Sequence, residues 1–173
     1  MSNFTVGREG NNIQVIVLHD SESQELPKQA DIVARVLHNN PGASAHAAVD
    51  NSHAVTIVAD TNTAWHCDNY PINLRSLGLE IVGVASQTAA QWIDPYSTAA
   101  LKQASLWCKP KMIKNGIPAV FLTDIQLVEI SLGNKSIKGF TTHADVSRAF
   151  KIYGGHTDPG VNFPRATFLA LVK

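Results

Sequence analysis

A run of β-branched and aliphatic residues near the start of the chain constrains the fold more than any other feature. Residues Ile13 to Leu18 read IQVIVL, a nearly continuous apolar pattern that is typical of a strand buried on both faces of a sheet. A second such run, Leu77 to Gly83, carries Glu80 at its centre. Because helical patterns separate the strand-like runs, the sequence predicts an α/β fold, in which a single domain has a mixed central β-sheet flanked by helices.

Periodicity and capping residues predict the remaining elements. Helices are expected at residues 26–39, from Asp94 or Ser97 to about residue 113, from Thr123 or Asp124 to about residue 132, and at residues 164–172. Residues 45–50 and 53–59 are typical of a hairpin. A strand-like piece should end at His143, and residues 1–12 are interpreted as an irregular arm.

Length and composition limit the class of protein. The 173 residues suit one domain over residues 1–173, and the formal net charge of zero removes any compositional argument for nucleic acid or an anionic membrane surface. No apolar run approaches the ~20 residues of a membrane span. The polar start has no signal-peptide pattern, so we expect cytoplasmic synthesis. Cys67 and Cys108 are expected to be reduced and packed, and the protein to be a monomer.

Two polar side chains accompany the buried strands. His19 follows the first apolar run, where a histidine can either take part in chemistry or simply bond to a neighbour, and position alone does not separate the two. Glu80 lies among Leu79, Ile81 and Val82. A carboxylate there is costly unless it is paired or used, so we favour a functional role over an exposed edge strand.

A short stretch near the C-terminal end concentrates metal-binding side chains. It presents His143, then His156 and Asp158 on a glycine-rich loop. With His19, these residues offer the two imidazoles and one carboxylate of a catalytic zinc site, His19, His143 and Asp158, with a position open for water. Glu80 would then be the general base, and His156 would stabilise the oxyanion. Together these groups describe amide hydrolysis.

The same residues occur in an ordered set of motifs that resembles a known family, the type 2 N-acetylmuramoyl-L-alanine amidases, which include phage lysozyme-amidases and the peptidoglycan recognition proteins. The resemblance covers nearly the whole chain, and its motifs are Val17-Leu18-His19-Asp20-Ser21, Ser44-Ala45-His46, Ala64-Trp65-His66, Leu77-Gly78-Leu79-Glu80-Ile81-Val82, Thr142-His143-Ala144-Asp145-Val146 and Thr157-Asp158-Pro159-Gly160-Val161-Asn162-Phe163-Pro164. The Gly-Gly-His-Thr-Asp-Pro-Gly form is most similar to endolysins of phages of actinobacteria.

The resemblance implies an enzyme with one Zn²⁺ per chain. Its substrate would be peptidoglycan, cleaved at the amide between N-acetylmuramic acid and the L-alanine of the stem peptide. His19, His143 and Asp158 match the metal ligands, and Glu80 matches the catalytic glutamate. His156 stands where many members have a lysine.

Some positions depart from the family pattern or leave alternatives open. The usual aromatic residue after the Ser-x-His motif is Ala47 here, so Glu80 must carry proton transfer alone. Asp145 is a less favoured spare ligand. His46 and His66 either contact the substrate or hold the hairpin and loop together, and Trp65 either belongs to the core or forms the aromatic wall of a cleft.

Three functions are consistent with this sequence. The leading hypothesis is the catalytic domain of a phage endolysin that lyses the bacterial cell wall after holin-type release through the membrane. The second is a peptidoglycan-binding module without catalysis. The third is a cytosolic amidase that recycles soluble muropeptides.

Overall fold

The secondary structure alternates strands with helices along the chain. The computed structural model describes residues 3–173. Its strands are β1 (Phe4–Thr5), β2 (Val15–Asp20), β3 (Ala47–Val49), β4 (Ala54–Thr56), β5 (Thr63–Ala64), β6 (Ser76–Ile81) and β7 (Gly139–Thr142). Its helices are α1 (Gln29–Asn39), α2 (Tyr70–Asn73), α3 (Pro95–Asn115), α4 (Asp124–Ser131), α5 (His143–Ala149) and α6 (Arg165–Val172), with a 3₁₀ turn at Gln91–Ile93.

A five-stranded mixed sheet forms the centre of the fold, in the order β4-β3-β6-β2-β7. Strand β2 runs parallel to β6 and to β7, and β3 runs parallel to β6. Only β4 is antiparallel, as the hairpin partner of β3. The predicted fold class is therefore confirmed, including the hairpin and the central position of the first apolar run.

Strand β2 is buried on both faces, as its composition predicts. Ile16 and Leu18 pack into the larger hydrophobic cluster, which α3 and α6 cover, whereas Val15 and Val17 pack into a second cluster under α4 and α5. All four side chains are fully buried. Because successive side chains of a strand point to opposite faces, this arrangement requires apolar residues at every position.

Capping contacts confirm the predicted starts of α3 and α4. Asp94 accepts a hydrogen bond from the Ser97 backbone N–H at 2.8 Å and caps α3. Gly116 ends α3 in the left-handed conformation, with φ 64°. Thr123 and Gln126 form a reciprocal capping box at the start of α4.

The predicted irregular arm is only partly irregular. The predicted arm, whose residues 1 and 2 lie outside the described residues, contains β1, which pairs with β5 in a small antiparallel sheet. Its Arg8 is also buried, and the guanidinium donates to the carbonyls of Leu74 and Ser76 at 3.1 and 2.9 Å. These are contacts distant in sequence, so local patterns did not reveal them.

Helix α5 is the second feature that the sequence prediction missed. No helix was predicted between His143 and His156. Thr142 and Asp145 instead form a capping box that starts the helix directly after β7. The Thr-x-x-Asp spacing is the local signal that could have predicted this helix start.

The turn between β3 and β4 depends on one buried carboxylate. Asp50 is fully buried and accepts hydrogen bonds from the backbone N–H groups of Ala30, Ser52 and His53 and from the Ser52 hydroxyl, at 2.7–3.2 Å. Burial alone would raise the pKa of Asp50, but these donors hold it below its usual value.

Replacing this carboxylate should destabilise the fold. We expect Asp50→Ala to lower the free energy of unfolding by about 2–3 kcal/mol, because it leaves several donors unpaired. The stabilisation by Asp50 is present above the unfolded-state pKa and is lost as pH falls through the lower folded-state pKa. Urea denaturation at pH 7 and pH 3 measures this, and an equal difference between the two proteins at both pH values would contradict it.

Two further expectations concern membranes and cysteines. Across residues 3–173, no helix combines the length and apolarity that a bilayer crossing requires. Cys67 and Cys108 are both unpaired and fully buried, as expected.

Candidate active site and metal centre

Three parallel strands bring the predicted site residues to one edge of the sheet. His19 is the penultimate residue of β2, and its register partner across the β2–β6 ladder is Glu80. On the other side of β2, β7 ends at Thr142 opposite Leu18, and His143 follows directly as the first residue of α5. The carboxyl ends of these parallel strands therefore carry His19, Glu80 and His143 together, where α/β folds commonly place their sites.

The loop after α5 adds Asp158 to this edge. The Asp158 carbonyl accepts a hydrogen bond from the Ala144 N–H at 2.9 Å, which ties the loop to the first turn of α5. Gly160 approaches the backbone of Ala85 so closely that a Cβ atom would collide with it, and its φ of 89° also requires glycine. The Asp-Pro-Gly motif thus sets the path of this loop.

His19, His143 and Asp158 form a buried cluster. The Nδ1 atom of His19 lies 3.0 Å from Asp158 Oδ2, and the Nδ1 atom of His143 lies 3.2 Å from Asp158 Oδ1. Burial alone would raise the pKa of Asp158, but the hydrogen bonds from His143 and His19 hold it well below its usual value. Burial lowers the pKa of His143. The neutral imidazole and charged carboxylate that result are the forms that bind metals.

This cluster fits a zinc ion by two observations. Its three ligand atoms lie within 4.8 Å of one another, and all three residues are buried. The Nε2 atom of His143 is buried without a hydrogen-bond partner among the described residues, as expected of a ring whose polar surroundings are incomplete. Two imidazoles and one carboxylate are a ligand set of catalytic zinc sites.

Asp145, the spare candidate, lies outside this cluster. Its carboxylate accepts hydrogen bonds from Arg148 at 2.8 Å and Arg165 at 3.0 Å and caps α5. Because these arginines already neutralise it, Asp145 has a structural role here.

Glu80 shares the cavity that contains the three candidate ligands. Burial, and secondly the negative charge of Asp158, raise the pKa of Glu80 well above its usual value. A carboxylate with a raised pKa accepts a proton more readily than an ordinary carboxylate, which suits the base of a general acid–base pair.

His156 lies over the cluster from the solvent side. Its ring stacks on His143 with 3.9 Å between centroids and 14° between planes. Its Nε2 atom is 3.3 Å from an Asp68 carboxylate oxygen, and its Nδ1 atom is 3.6 Å from Asp158 Oδ1. The side chain is about half exposed, so His156 can face a substrate that enters the cavity.

Asp68, His143 and His156 form a second group whose ligand atoms also lie within 4.8 Å. Two of its members are exposed, and His143 belongs to both groups. The rings of His143 and His156 are nearly parallel, so their in-plane lone pairs run side by side and do not converge on one ion. This group is therefore better suited to hydrogen bonding than to metal binding.

The structure separates the three predicted substrate contacts. Trp65 and His66 line the cavity, whereas His46 does not. His46 is fully buried, accepts from the Gly78 N–H at 2.9 Å and contacts the Arg8 guanidinium at 2.8 Å, which is the structural alternative that the sequence left open. Trp65 is partly exposed, and its Nε1–H donates to Thr5 at 3.0 Å.

Sequence reasoning missed one wall of the cavity. Helix α1 lines it with four apolar side chains, Ile32, Val33, Val36 and Leu37. Ile32 is 48% and Val36 61% exposed. The cavity of about 480 Å³ therefore has a polar end at the histidines and an apolar wall along α1. Only the excess of apolar residues on α1 could have suggested this.

Asp20 is a further missed residue of the cavity. It is buried, its Oδ2 atom has no hydrogen-bond partner within the described part of the chain, and burial raises its pKa to about 8. In the sequence, only its position next to His19 indicated that Asp20 could belong to the site.

Comparison with solved structures shows the same fold in several proteins. The hydrolase AmiA of Staphylococcus aureus, solved with its ligand, superposes with a TM-score of 0.64 at 18% identity, over 99% of this chain and 77% of that one. A selenomethionine derivative of AmpD gives 0.63 at 18% identity, over 99% and 90%. A mutant endolysin from Bacillus subtilis gives 0.61 at 16% identity, over 99% and 92%. At this level of identity the likeness shows the fold alone.

The match at the level of sequence families is more direct. No curated protein matches this chain. A family model described as N-acetylmuramoyl-L-alanine amidase, however, matches residues 9–161. This range includes His19, Glu80, His143, His156 and Asp158, the residues that the fold collects at one edge of the sheet. The chain belongs to the N-acetylmuramoyl-L-alanine amidase family.

Proposed function

We propose that this protein is a zinc-dependent N-acetylmuramoyl-L-alanine amidase that acts on peptidoglycan. It hydrolyses the amide between the lactyl group of N-acetylmuramic acid and the L-alanine of the stem peptide. The observation that carries the proposal is the convergence of His19, His143 and Asp158 in a cavity that Glu80 and His156 also line.

In this proposal His19, His143 and Asp158 hold one zinc ion. When bound, zinc supplies a Lewis acid and activates water for attack on a carbonyl. The carboxylate of Asp158 neutralises part of the charge of the ion. The buried setting of all three side chains keeps them in fixed positions and limits access by bulk water.

Glu80 moves the proton. Its carboxylate accepts a proton from the attacking water, and the resulting carboxylic acid then donates it to the nitrogen of the leaving L-alanine. The pKa raised by burial favours the first step, because a more basic carboxylate accepts a proton from water more readily. Ala47 stands where the family usually has an aromatic residue, so Glu80 performs both transfers.

His156 stabilises negative charge on the carbonyl oxygen of the scissile amide. Its half-exposed ring faces the cavity and is oriented from two sides, by the stack on His143 and by the Asp68 carboxylate at 3.3 Å. A ring N–H so placed can donate to an oxyanion that develops during the reaction. The apolar wall of α1 and Trp65 are available to the non-reacting parts of the substrate.

The biological role that we propose is that of a phage endolysin, which reaches the cell wall after holin-type release through the membrane. The fold shared with an endolysin from Bacillus subtilis is consistent with this role. Two other roles would give different results in the experiment below. A binding module would retain wall affinity without cleavage, and a recycling amidase would cleave soluble muropeptides but not intact wall.

The experiment compares two substrates under two metal conditions. Purified sacculi and soluble muropeptides are incubated with zinc-loaded protein and with chelator-treated protein, and turbidity and released amino termini are measured. We expect activity on intact sacculi that chelator abolishes. Activity on soluble fragments alone would select the recycling role, and wall binding without new amino termini would select the binding module.

A further inference from the structure

His66 lies directly behind His19, a proposed metal ligand. We propose that His66 is a positioning residue that fixes the ring of His19, so that His19 presents its Nδ1 atom to the metal. The inference rests on the proposed zinc site but assigns a role to residues outside the ligand set.

Both ring nitrogens of His66 already have partners. Its Nδ1 atom lies 3.2 Å from His19 Nε2, and its Nε2 atom lies 3.0 Å from the Ser76 hydroxyl. The rings of His66 and His19 meet edge to face, with 5.3 Å between centroids and 88° between planes. His66 is only 6% exposed. A side chain with both nitrogens engaged has no free group for a substrate, although one edge of its ring lines the cavity.

The order of donors along this chain of contacts determines which nitrogen of His19 is free. If His19 binds a metal through Nδ1, its Nε2 must carry the proton and donate to His66 Nδ1. A neutral His66 then carries its own proton on Nε2 and donates to the Ser76 oxygen, which can accept. Every partner needed for this tautomer is present.

The position of His66 is itself set by the surrounding structure. The ring lies on Gly78, where a Cβ atom would be 2.5 Å from the His66 Cγ atom, so only glycine leaves room for it. The backbone N–H of His66 donates to the Asn73 side-chain oxygen at 3.3 Å. The Ser76 carbonyl in turn accepts from Arg8 at 2.9 Å. The N-terminal arm therefore supports the strand residue that supports His66.

His66 contacts a proposed metal ligand, His19, but is not itself a ligand. Partners of this kind orient a metal-bound histidine and raise its basicity, and their loss typically weakens metal affinity about 10- to 100-fold. Here the partner of the ligand is a second imidazole in place of the more usual carboxylate or carbonyl. Unlike a carboxylate, an imidazole fixes the tautomer without adding negative charge to the site.

The test measures zinc affinity directly, by competition with a chelating dye, in the whole 173-residue chain. We expect His66→Leu to weaken zinc binding about 10- to 100-fold. His66→Asn, whose side-chain oxygen can occupy the position of Nδ1, should restore part of the affinity. Ser76→Ala should produce a smaller loss, and Gly78→Ala should weaken zinc binding by displacing the ring. His38→Leu, the same change at an exposed histidine, is the matched control and should bind zinc like the wild type.

The outcomes separate this inference from the proposed function. Unchanged zinc affinity in folded His66→Leu, with a raised KM for muropeptide, would overturn the positioning role and make His66 a substrate contact. If His66→Leu does not fold, unchanged zinc affinity in both Ser76→Ala and Gly78→Ala overturns it equally. A wild-type protein that binds no zinc and cleaves no muropeptide would instead reject the proposed function itself.

Discussion

Glu80→Gln is expected to abolish most of the amidase activity while leaving zinc binding intact. The substitution keeps the size of the side chain but removes the group that we propose accepts and returns the proton. Loss of a general acid–base catalyst typically costs about 10²- to 10⁴-fold in rate. We expect a fall in kcat of this size with a small change in KM, measured by the release of L-alanine amino termini from soluble muropeptide.

The same variant should change the stability of the metal-free protein with a defined sign. The pKa of Glu80 is raised in the folded state, so its contribution to stability is fully present below the unfolded-state pKa and is lost as pH rises through the folded-state pKa. A glutamine cannot ionise, so Glu80→Gln does not lose stability in this way as pH rises. In thermal denaturation of metal-free protein from pH 5 to pH 9, the Tm of the variant relative to that of the wild type should increase as pH rises. A variant with full activity would show that Glu80 is not the base.

Asp158→Ala is expected to remove zinc from the protein. Asp158 contacts both histidines at 3.0 and 3.2 Å and is the only carboxylate of the proposed ligand set. Loss of a direct ligand should exceed the roughly 10- to 100-fold effect of losing an outer-shell partner. Elemental analysis should give about one zinc per wild-type chain and far less in the variant, with the amidase activity lost in parallel.

Asp68→Ala provides the control for this experiment. Asp68 is also a carboxylate of the cavity, and it belongs to the second group of potential ligands with His143 and His156. Because that group has stacked rings and exposed members, we expect Asp68→Ala to retain its zinc. Zinc lost from Asp68→Ala but retained by Asp158→Ala would place the metal in the second group and contradict the proposed ligand set.

The sequence predicted the sheet, and the side chains that the sheet brings to one edge, because the signals for its central strands are local. The apolar run that became β2 and the apolar run that became β6 required central strands, and parallel strands place their ends at one edge. His19 and Glu80 therefore had to be neighbours once both runs were strands. The Asp-Pro-Gly motif supplied the family resemblance that selected Asp158 rather than Asp145.

The sequence did not predict features that depend on contacts between distant parts of the chain. The burial of Arg8, which reaches carbonyls more than 60 residues away, has no local pattern. The sequence left the same two alternatives open for His46 and His66, yet His46 contacts Arg8 and His66 lies behind His19. Their difference arises from two partners distant in sequence, Arg8 for His46 and His19 for His66, which local patterns do not encode.

The most direct test of this account identifies the bond that the protein cleaves and the metal that the cleavage needs. Purified sacculi are digested with metal-stripped protein, before and after addition of one equivalent of zinc, and the products are analysed by mass spectrometry. The account predicts stem peptides with free L-alanine amino termini and intact glycan strands, formed only after zinc is added. Cleavage of glycosidic bonds, cleavage within the peptide, or the same products from metal-stripped protein would contradict it.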